Sequence, residues 1–224
     1  MLGSATSSRD DFEQASATEI LAWAYGRFGD ELVVTCSFGD AVMPSLVAQV
    51  RPGAEIVLLD TNYLFAETLW FAERVTDRFG LRLRQELPDP EVGYDDMWMT
   101  DTDSCCHRRK VEPLARVLAG RPAWVTGLRR VDGPSRAGVP IAARELVHNV
   151  LKINPIARWT DADVADYSAR MDLPTHPLAD RGYPSIGCWP CTRPVGVGED
   201  ARAGRWAGSG KTECGLHLSP AAAA

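Results

Sequence analysis

The sequence predicts an α/β fold, a mainly parallel sheet flanked by helices. Apolar runs short enough for buried strands alternate with helix-like stretches over most of the chain. The length of 224 residues suits one domain with a full core and an appended tail. The hydrophobic fraction of 45% and charged fraction of 24% are those of an ordinary globular protein.

In order, the expected elements are a helix over residues 11–28, a strand over 31–36, a helix over 41–50 and a strand over 54–59. A helix over 65–79, a strand over 81–87, a helix over 105–118 and strands over 123–126 and 147–153 follow. Thr160-Asp161-Ala162-Asp163 reads as an N-cap with an acid three residues on, opening a last helix to about Met171. After Pro174 the character changes, and residues 195–210 are rich in Gly, Ala and charge. The expected division is therefore 1–195 as the α/β domain and 196–224 as a flexible C-terminal segment. Ligands of such sheets bind beyond the carboxyl ends of the strands, so those loops should hold the site.

The net charge of −6 excludes broad nucleic-acid binding, which would leave a basic footprint. Residues 1–13 are polar, without the apolar centre of a signal peptide, and no run approaches the roughly 18 apolar residues a membrane helix needs. A cytoplasmic protein without a membrane partner is expected, in a compartment that keeps thiols reduced.

Six cysteines in such a compartment point to metal binding or catalysis before disulfides. Adjacent Cys105 and Cys106 are poorly placed to bond to each other, whereas the Cys188-x-x-Cys191 bend can aim two sulfurs at one centre. Four thiolates suit a 4Fe–4S cluster or a tetrahedral zinc. Zinc more typically uses two knuckles, so a tandem pair opposite one knuckle favours iron–sulfur. The plainer alternative is four small buried hydrophobes. Cys36 ends an apolar strand alone and reads as a core residue. Ser104 is the expected cap of the helix that carries the tandem pair, and Lys110 shares a face with Cys106. Arg108 and Arg109 read equally well as a solvated basic face. Cys214, in Lys211-Thr212-Glu213-Cys214-Gly215-Leu216-His217, lies beyond the compact region and is a candidate nucleophile.

Glu213-Cys214-Gly215-Leu216-His217 resembles the terminal signature of the assimilatory sulfonucleotide reductases. Cys105-Cys106 with Cys188-x-x-Cys191 resembles the cluster-bearing branch of that family, which uses adenylyl sulfate (APS). Leu59-Asp60-Thr61, Lys110-Val111-Glu112-Pro113-Leu114, Gly127-Leu128-Arg129-Arg130, Gly182-Tyr183-Pro184-Ser185-Ile186-Gly187 and Arg202-x-x-Arg205-Trp206 extend the likeness from about Glu31 to Leu218. The resemblance implies an adenine nucleotide alpha-hydrolase-like fold and reduction of APS to sulfite and AMP. It implies a 4Fe–4S cluster on Cys105, Cys106, Cys188 and Cys191, Cys214 as nucleophile and thioredoxin as electron donor. It further implies that Lys110, Arg202, Arg205 and His217 surround the sulfate, and cationic forks and an ammonium are what sulfate oxygens require. Ser37, Phe38 and Gly39 match the family's modified pyrophosphate loop, Leu59 a contact to adenine, and Arg129 a contact to ribose or phosphate.

Two positions depart from the pattern. Ser37-Phe38-Gly39 is closer to enzymes that use the 3′-phosphorylated substrate (PAPS), and Asn62 replaces a common glycine. PAPS reduction, and ATP-dependent adenylation by a pyrophosphatase-type enzyme, are the alternatives. The small residues of 204–210 suggest that residues 205–217 act as a lid. A homo-oligomer is compatible with the sequence, which leaves the oligomeric state open.

Overall fold

The computed structural model describes residues 9–217. Its strands are β1 (Leu32–Val34), β2 (Glu55–Leu59), β3 (Arg82–Glu86), β4 (Ala123–Val125), β5 (Ala142–Glu145) and β6 (Val150–Ile153). β1, β4, β6 and β5 form one sheet in that order, and β2 and β3 a second. A single parallel bridge, Thr35 to Val57, joins the two. All pairings are parallel except β5 with β6. The α/β expectation holds.

β1 and β4 are buried throughout, as a layer covered on both faces requires, and successive side chains alternate between two cores. Leu32, Val34, Ile56, Leu58, Ala123 and Val125 share one core with Ile20 and Leu21 of α2 (Ala17–Phe28), Leu46 of α3 (Val42–Val50) and Phe71 of α4 (Ala66–Phe79). Val33, Val57 and Trp124 face the other way.

The expected first helix is two. α1 (Arg9–Gln14) stops, and α2 restarts on a reciprocal cap. Ser16 Oγ accepts the Glu19 N–H at 3.3 Å, and the Glu19 carboxylate accepts the Ser16 N–H at 2.7 Å. The expected strand over 147–153 begins only at Val150, because Glu145 accepts the N–H groups of Val147 and His148 and turns the chain. That turn makes β5 and β6 a hairpin, and β5, an edge strand with no apolar run, escapes a periodicity reading.

The expected helix over 105–118 is also divided. α5 (Met97–Thr100) leads into α6 (Thr102–Cys106), whose cap is Asp101, accepting the Ser104 N–H at 3.1 Å; Ser104 is not the cap. A π turn over His107–Val111 follows, with the Glu112 N–H reaching back to the His107 carbonyl, before α7 (Glu112–Leu118). Pro113 stands in the first turn of α7, where its missing N–H is tolerated. α7 covers the Trp124 face of the sheet.

α8 (Asp161–Arg170) starts on the expected Thr160–Asp163 capping box. Beyond it the chain crosses the 195/196 division as a paired loop: Arg193 N–H donates to Gly204 O at 3.0 Å, and Trp206 N–H to Cys191 O at 2.9 Å. Residues 207–210 are exposed, and residues 211–217 return to the body, where Leu216 packs beside α7. The expected flexible tail thus has a seated portion up to His217, and its last seven positions lie outside the described residues. Among the described residues no helix is long and apolar enough to cross a membrane.

Candidate active site

β1 leads outward to β2 and β3, and the chain returns beside β1 as β4, so the strand order reverses between β1 and β4. Such a switch point opens a crevice at the carboxyl ends of the strands. A cavity of about 550 Å³ lies there, lined by Thr35, Ser37 and Gly39 after β1, Leu59 at the end of β2 and Thr126 and Gly127 after β4. Gly127 allows close approach, since a Cβ would stand 3.0 Å from Met43 Cγ.

Phe38 departs from the expectation. Its ring is fully buried in the core, and it does not line the cavity. Its backbone lies at φ 52°, a region a bulky residue adopts only when its surroundings hold it there, and its N–H donates to Cys36 Sγ at 3.3 Å. The ring anchors the loop that presents Ser37 and Gly39. Cys36 packs against the core as expected but also lines the cavity, its thiol pushed up to about 12 by burial.

The far wall carries the cations. Lys110, Arg129, Arg202, Arg205, His217 and Cys214 all line the same cavity. Lys110 comes from the π turn. Burial opposes its charge, but the Cys188 and Cys214 sulfurs nearby outweigh that and hold its pKa above the ordinary lysine value. Arg205 donates to the Ile186 carbonyl at 3.2 Å, while its buried Nε has no partner within the described residues. Gly187 leaves room for it, since a Cβ there would displace the guanidinium from its present place. Arg129 is committed to Asp132 at 2.7 Å and Asp161 at 2.9 Å, so its charge is already paired at the rim.

Cys214 is half-buried and is seated by its neighbours. Glu213 is held by Arg136 and by Ser135 Oγ, and Lys211 pairs with Asp103. His217 stacks on Trp124 with ring centroids 5.6 Å apart, and its Nδ1 lies 3.0 Å from Lys152 Nζ. Sequence reasoning missed Arg136 and Lys152. Arg136 sits in a loop with no motif to mark it. Lys152 left a signal, a lone cation within the apolar strand β6.

Cys105, Cys106, Cys188 and Cys191 line one narrow cavity behind Lys110. Burial, and the thiols' own mutual repulsion, push Cys105 and Cys191 up to about 11. Thr61 Oγ1 lies 3.2 Å from Cys188 Sγ. Among the described residues no three His, Cys, Asp or Glu groups converge at the spacing of a single ion. Arg109 corrects the solvated-face alternative: it is 1% exposed, bonded to Asp95 at 2.9 Å and the Gly93 carbonyl at 2.6 Å, and lies 4.4 Å from the Tyr63 ring centroid. Asn62, where a glycine is common, adopts φ 63°, which asparagine tolerates better than other non-glycine residues. Lys110, Arg205 and Trp206 line both cavities and form the wall between them.

Comparison with known proteins identifies the chain's relatives. A protein of Mycobacteroides abscessus named adenosine 5'-phosphosulfate reductase is 45% identical over 215 residues, covering 93% of this chain and 91% of its own length. A Bacillus pumilus protein of the same name is 44% identical over 223 residues, 96% of this chain and 95% of its own. The crystal structure of phosphoadenylyl-sulfate (PAPS) reductase from Candida auris, a phosphate complex, superposes with a TM-score of 0.67 at 25% identity, covering 84% of this chain and 98% of that one. FMN adenylyltransferase of Candida glabrata, at 15% identity and a TM-score of 0.58 over 87% of this chain and 70% of that one, shares the fold alone. The phosphoadenosine phosphosulfate reductase domain matches residues 31–194. That match runs from β1 through the second cysteine pair, and the chain belongs to the phosphoadenosine phosphosulfate reductase domain family.

Proposed function

We propose that this protein reduces APS to sulfite and AMP, a step of sulfate assimilation. The observation that carries the reading is the meeting of Cys214 with Lys110, Arg202 and Arg205 in the cavity at the β1–β4 switch point. The names of the relatives at 44–45% identity support APS as the substrate.

In the first half-reaction the Cys214 thiolate attacks the sulfate sulfur. A sulfur–sulfur bond forms, the bond from sulfur to the bridging oxygen breaks, and AMP leaves with the electron pair. The product is a Cys–S–SO3 thiosulfonate. Lys110, Arg202 and Arg205 offset the charge that builds on sulfate and phosphate oxygens, in a site where such fixed cations act more strongly than in water. Ser37 and Gly39 suit the phosphate side, and Leu59 the adenine. In the second half-reaction a thioredoxin thiolate attacks Cys214 Sγ, and sulfite leaves with the electron pair. The second thioredoxin thiol then resolves the mixed disulfide, so a dithiol is oxidised as sulfur(VI) becomes sulfur(IV). Cys214 must meet a small nucleotide and then a bulky protein, so residues 211–217 act as a lid hinged at the exposed 207–210.

Cys105, Cys106, Cys188 and Cys191 suit a 4Fe–4S cluster. An all-sulfur donor set fits it, and the four cysteines line one shared cavity. Such a cluster would supply structural order and a local field beside the substrate anion. Lys110 lies on the wall shared by the two cavities.

A second reading, reduction of PAPS, is favoured by the Ser37-Phe38-Gly39 loop and by the name of the Candida auris structure. Sulfite release measured with APS and PAPS side by side, with thioredoxin present, decides between them. APS should give the larger kcat/KM, and equal or better turnover of PAPS would replace the reading.

A further inference from the structure

Lys152 and Trp124 are cross-strand neighbours in β6 and β4, and the Lys152 ammonium lies 4.7 Å from the Trp124 ring centroid. The His217 ring lies nearly parallel to that of Trp124, at an interplanar angle of 22°. Trp124 thus sets the plane of the imidazole, and Lys152 Nζ, 3.0 Å from His217 Nδ1, sets its rotation within that plane. Lys152 is not among the residues lining the substrate cavity, whereas His217 is.

A lysine ammonium has three donors and no acceptor, so the 3.0 Å contact requires Nδ1 to be the acceptor. That excludes both the imidazolium and the Nδ1–H tautomer. The single ring proton must sit on Nε2. We propose that Lys152 is a positioning residue for the sulfur chemistry: by donating to Nδ1 it holds His217 as the neutral Nε2–H tautomer and commits that N–H to the cavity containing Cys214.

The surroundings reinforce this state. Burial, and then the charges of Lys152, Arg136 and Arg202, hold the His217 pKa well below the ordinary histidine value, so the ring stays neutral. Burial lowers Lys152 to about 8; Glu145, Glu213 and Cys214 favour its charge, and Arg136 opposes it. His148, edge-on to the Trp124 ring and hydrogen-bonded to Glu145, is a further titratable group beside Trp124. Lys152 is therefore charged at neutral pH and donates.

The consequence concerns what His217 does. A ring whose Nδ1 is occupied and whose Nε2 carries a proton cannot take the proton of the Cys214 thiol. It can donate to an anionic oxygen, on the bound sulfate or on the SO3 group after transfer. His217 acts as an electrophilic donor and not as a general base. The inference rests on the Cys214 chemistry proposed above, but its structural half can be measured without turnover.

The test uses the full chain, with its cofactor, labelled with 15N in the histidine rings. There are four histidines, and His217→Gln identifies the resonances of His217. In the unaltered protein His217 should show a protonated Nε2 and an unprotonated Nδ1, unchanged from pH 5.5 to 7.5. Lys152→Met should mix the two tautomers and slow thiosulfonate formation from APS roughly 10- to 100-fold in single turnovers without thioredoxin. Its thermal midpoint should be no lower, because the change removes a poorly solvated cation. Lys152→Arg, which retains a donor, should keep the tautomer and recover most of the rate. An Nδ1–H ring in the unaltered protein overturns the proposal, as does a Lys152→Met protein with the original tautomer and rate. Sulfite release that survives Cys214→Ser would overturn the underlying chemistry while leaving the tautomer result standing.

Discussion

Arg136 grips Glu213 side-on, Nε to Oε1 at 2.6 Å and Nη2 to Oε2 at 2.7 Å, across 77 residues of chain. Glu213 precedes Cys214, so this pair fixes the backbone from which the sulfur projects. Burial raises the Glu213 pKa, but the hydrogen bonds and charge of Arg136, with Arg202 behind it, outweigh burial and leave it lowered.

Arg136→Met should therefore unlatch the segment. A charge-assisted pair of this kind contributes about 1.5–3 kcal/mol, so the unlatched population should rise roughly 10- to 100-fold. Protease cleavage within residues 207–211 should rise and thiosulfonate formation should slow. The sign with pH follows from the lowered carboxyl. The latch is complete above the ordinary carboxylate value and is lost as pH falls through the lowered one. Glu213→Gln should reproduce the acid behaviour at neutral pH, and a variant cleaved no faster than the original protein would refute the latch.

Cys214→Ser should retain nucleotide binding and lose sulfite release by roughly a thousand-fold or more. With APS and no thioredoxin, intact-mass spectrometry should find one SO3 unit on the original protein and none on the variant. An adduct surviving on the variant would move the nucleophile elsewhere.

Protein purified without oxygen should be brown, with about four irons per chain. Serine at Cys105, Cys106, Cys188 or Cys191 should lower iron, whereas Cys36→Ser should not, since Cys36 lies in the other cavity. Stoichiometric zinc in place of iron would displace the cluster assignment.

Gly204→Ala tests the paired loop. A Cβ there would strike the Arg193 carbonyl oxygen, a backbone atom whose own residue is tied by its N–H to the Gly204 carbonyl, so relief requires the loop to shift. The cost should be about 1–3 kcal/mol, lowering the unfolding midpoint by roughly 2–12 °C. An unchanged midpoint would mean that the loop yields freely. Gly204 is therefore a packing position, and the hinge falls at the exposed 207–210 that follow.

The alternation of strands and helices was legible because burial periodicity is local. A strand covered on both faces needs an unbroken apolar run, and a capped helix needs its cap within three residues. Ser16 with Glu19, and Thr160 with Asp163, are such signals. The paired cysteines and the terminal signature were legible for a related reason: their residue types and spacings are recorded in the chain itself.

What the sequence determined by itself, then, is the layered α/β class, the two sets of cysteines and the candidate cations Lys110, Arg202 and Arg205. Only the tertiary structure decided which of these share a wall, and which unmarked residues join them. Arg136 meets Glu213, and Lys152 meets His217 across 65 residues, because β6 lies beside β4 and the tail folds back over both. Arg109 is buried on Asp95 while its neighbour Lys110 reaches both cavities, because successive helical residues point to different faces and the fold decides what each face meets. Such contacts join residues far apart in the chain, and their strength depends on burial and geometry that no local pattern encodes.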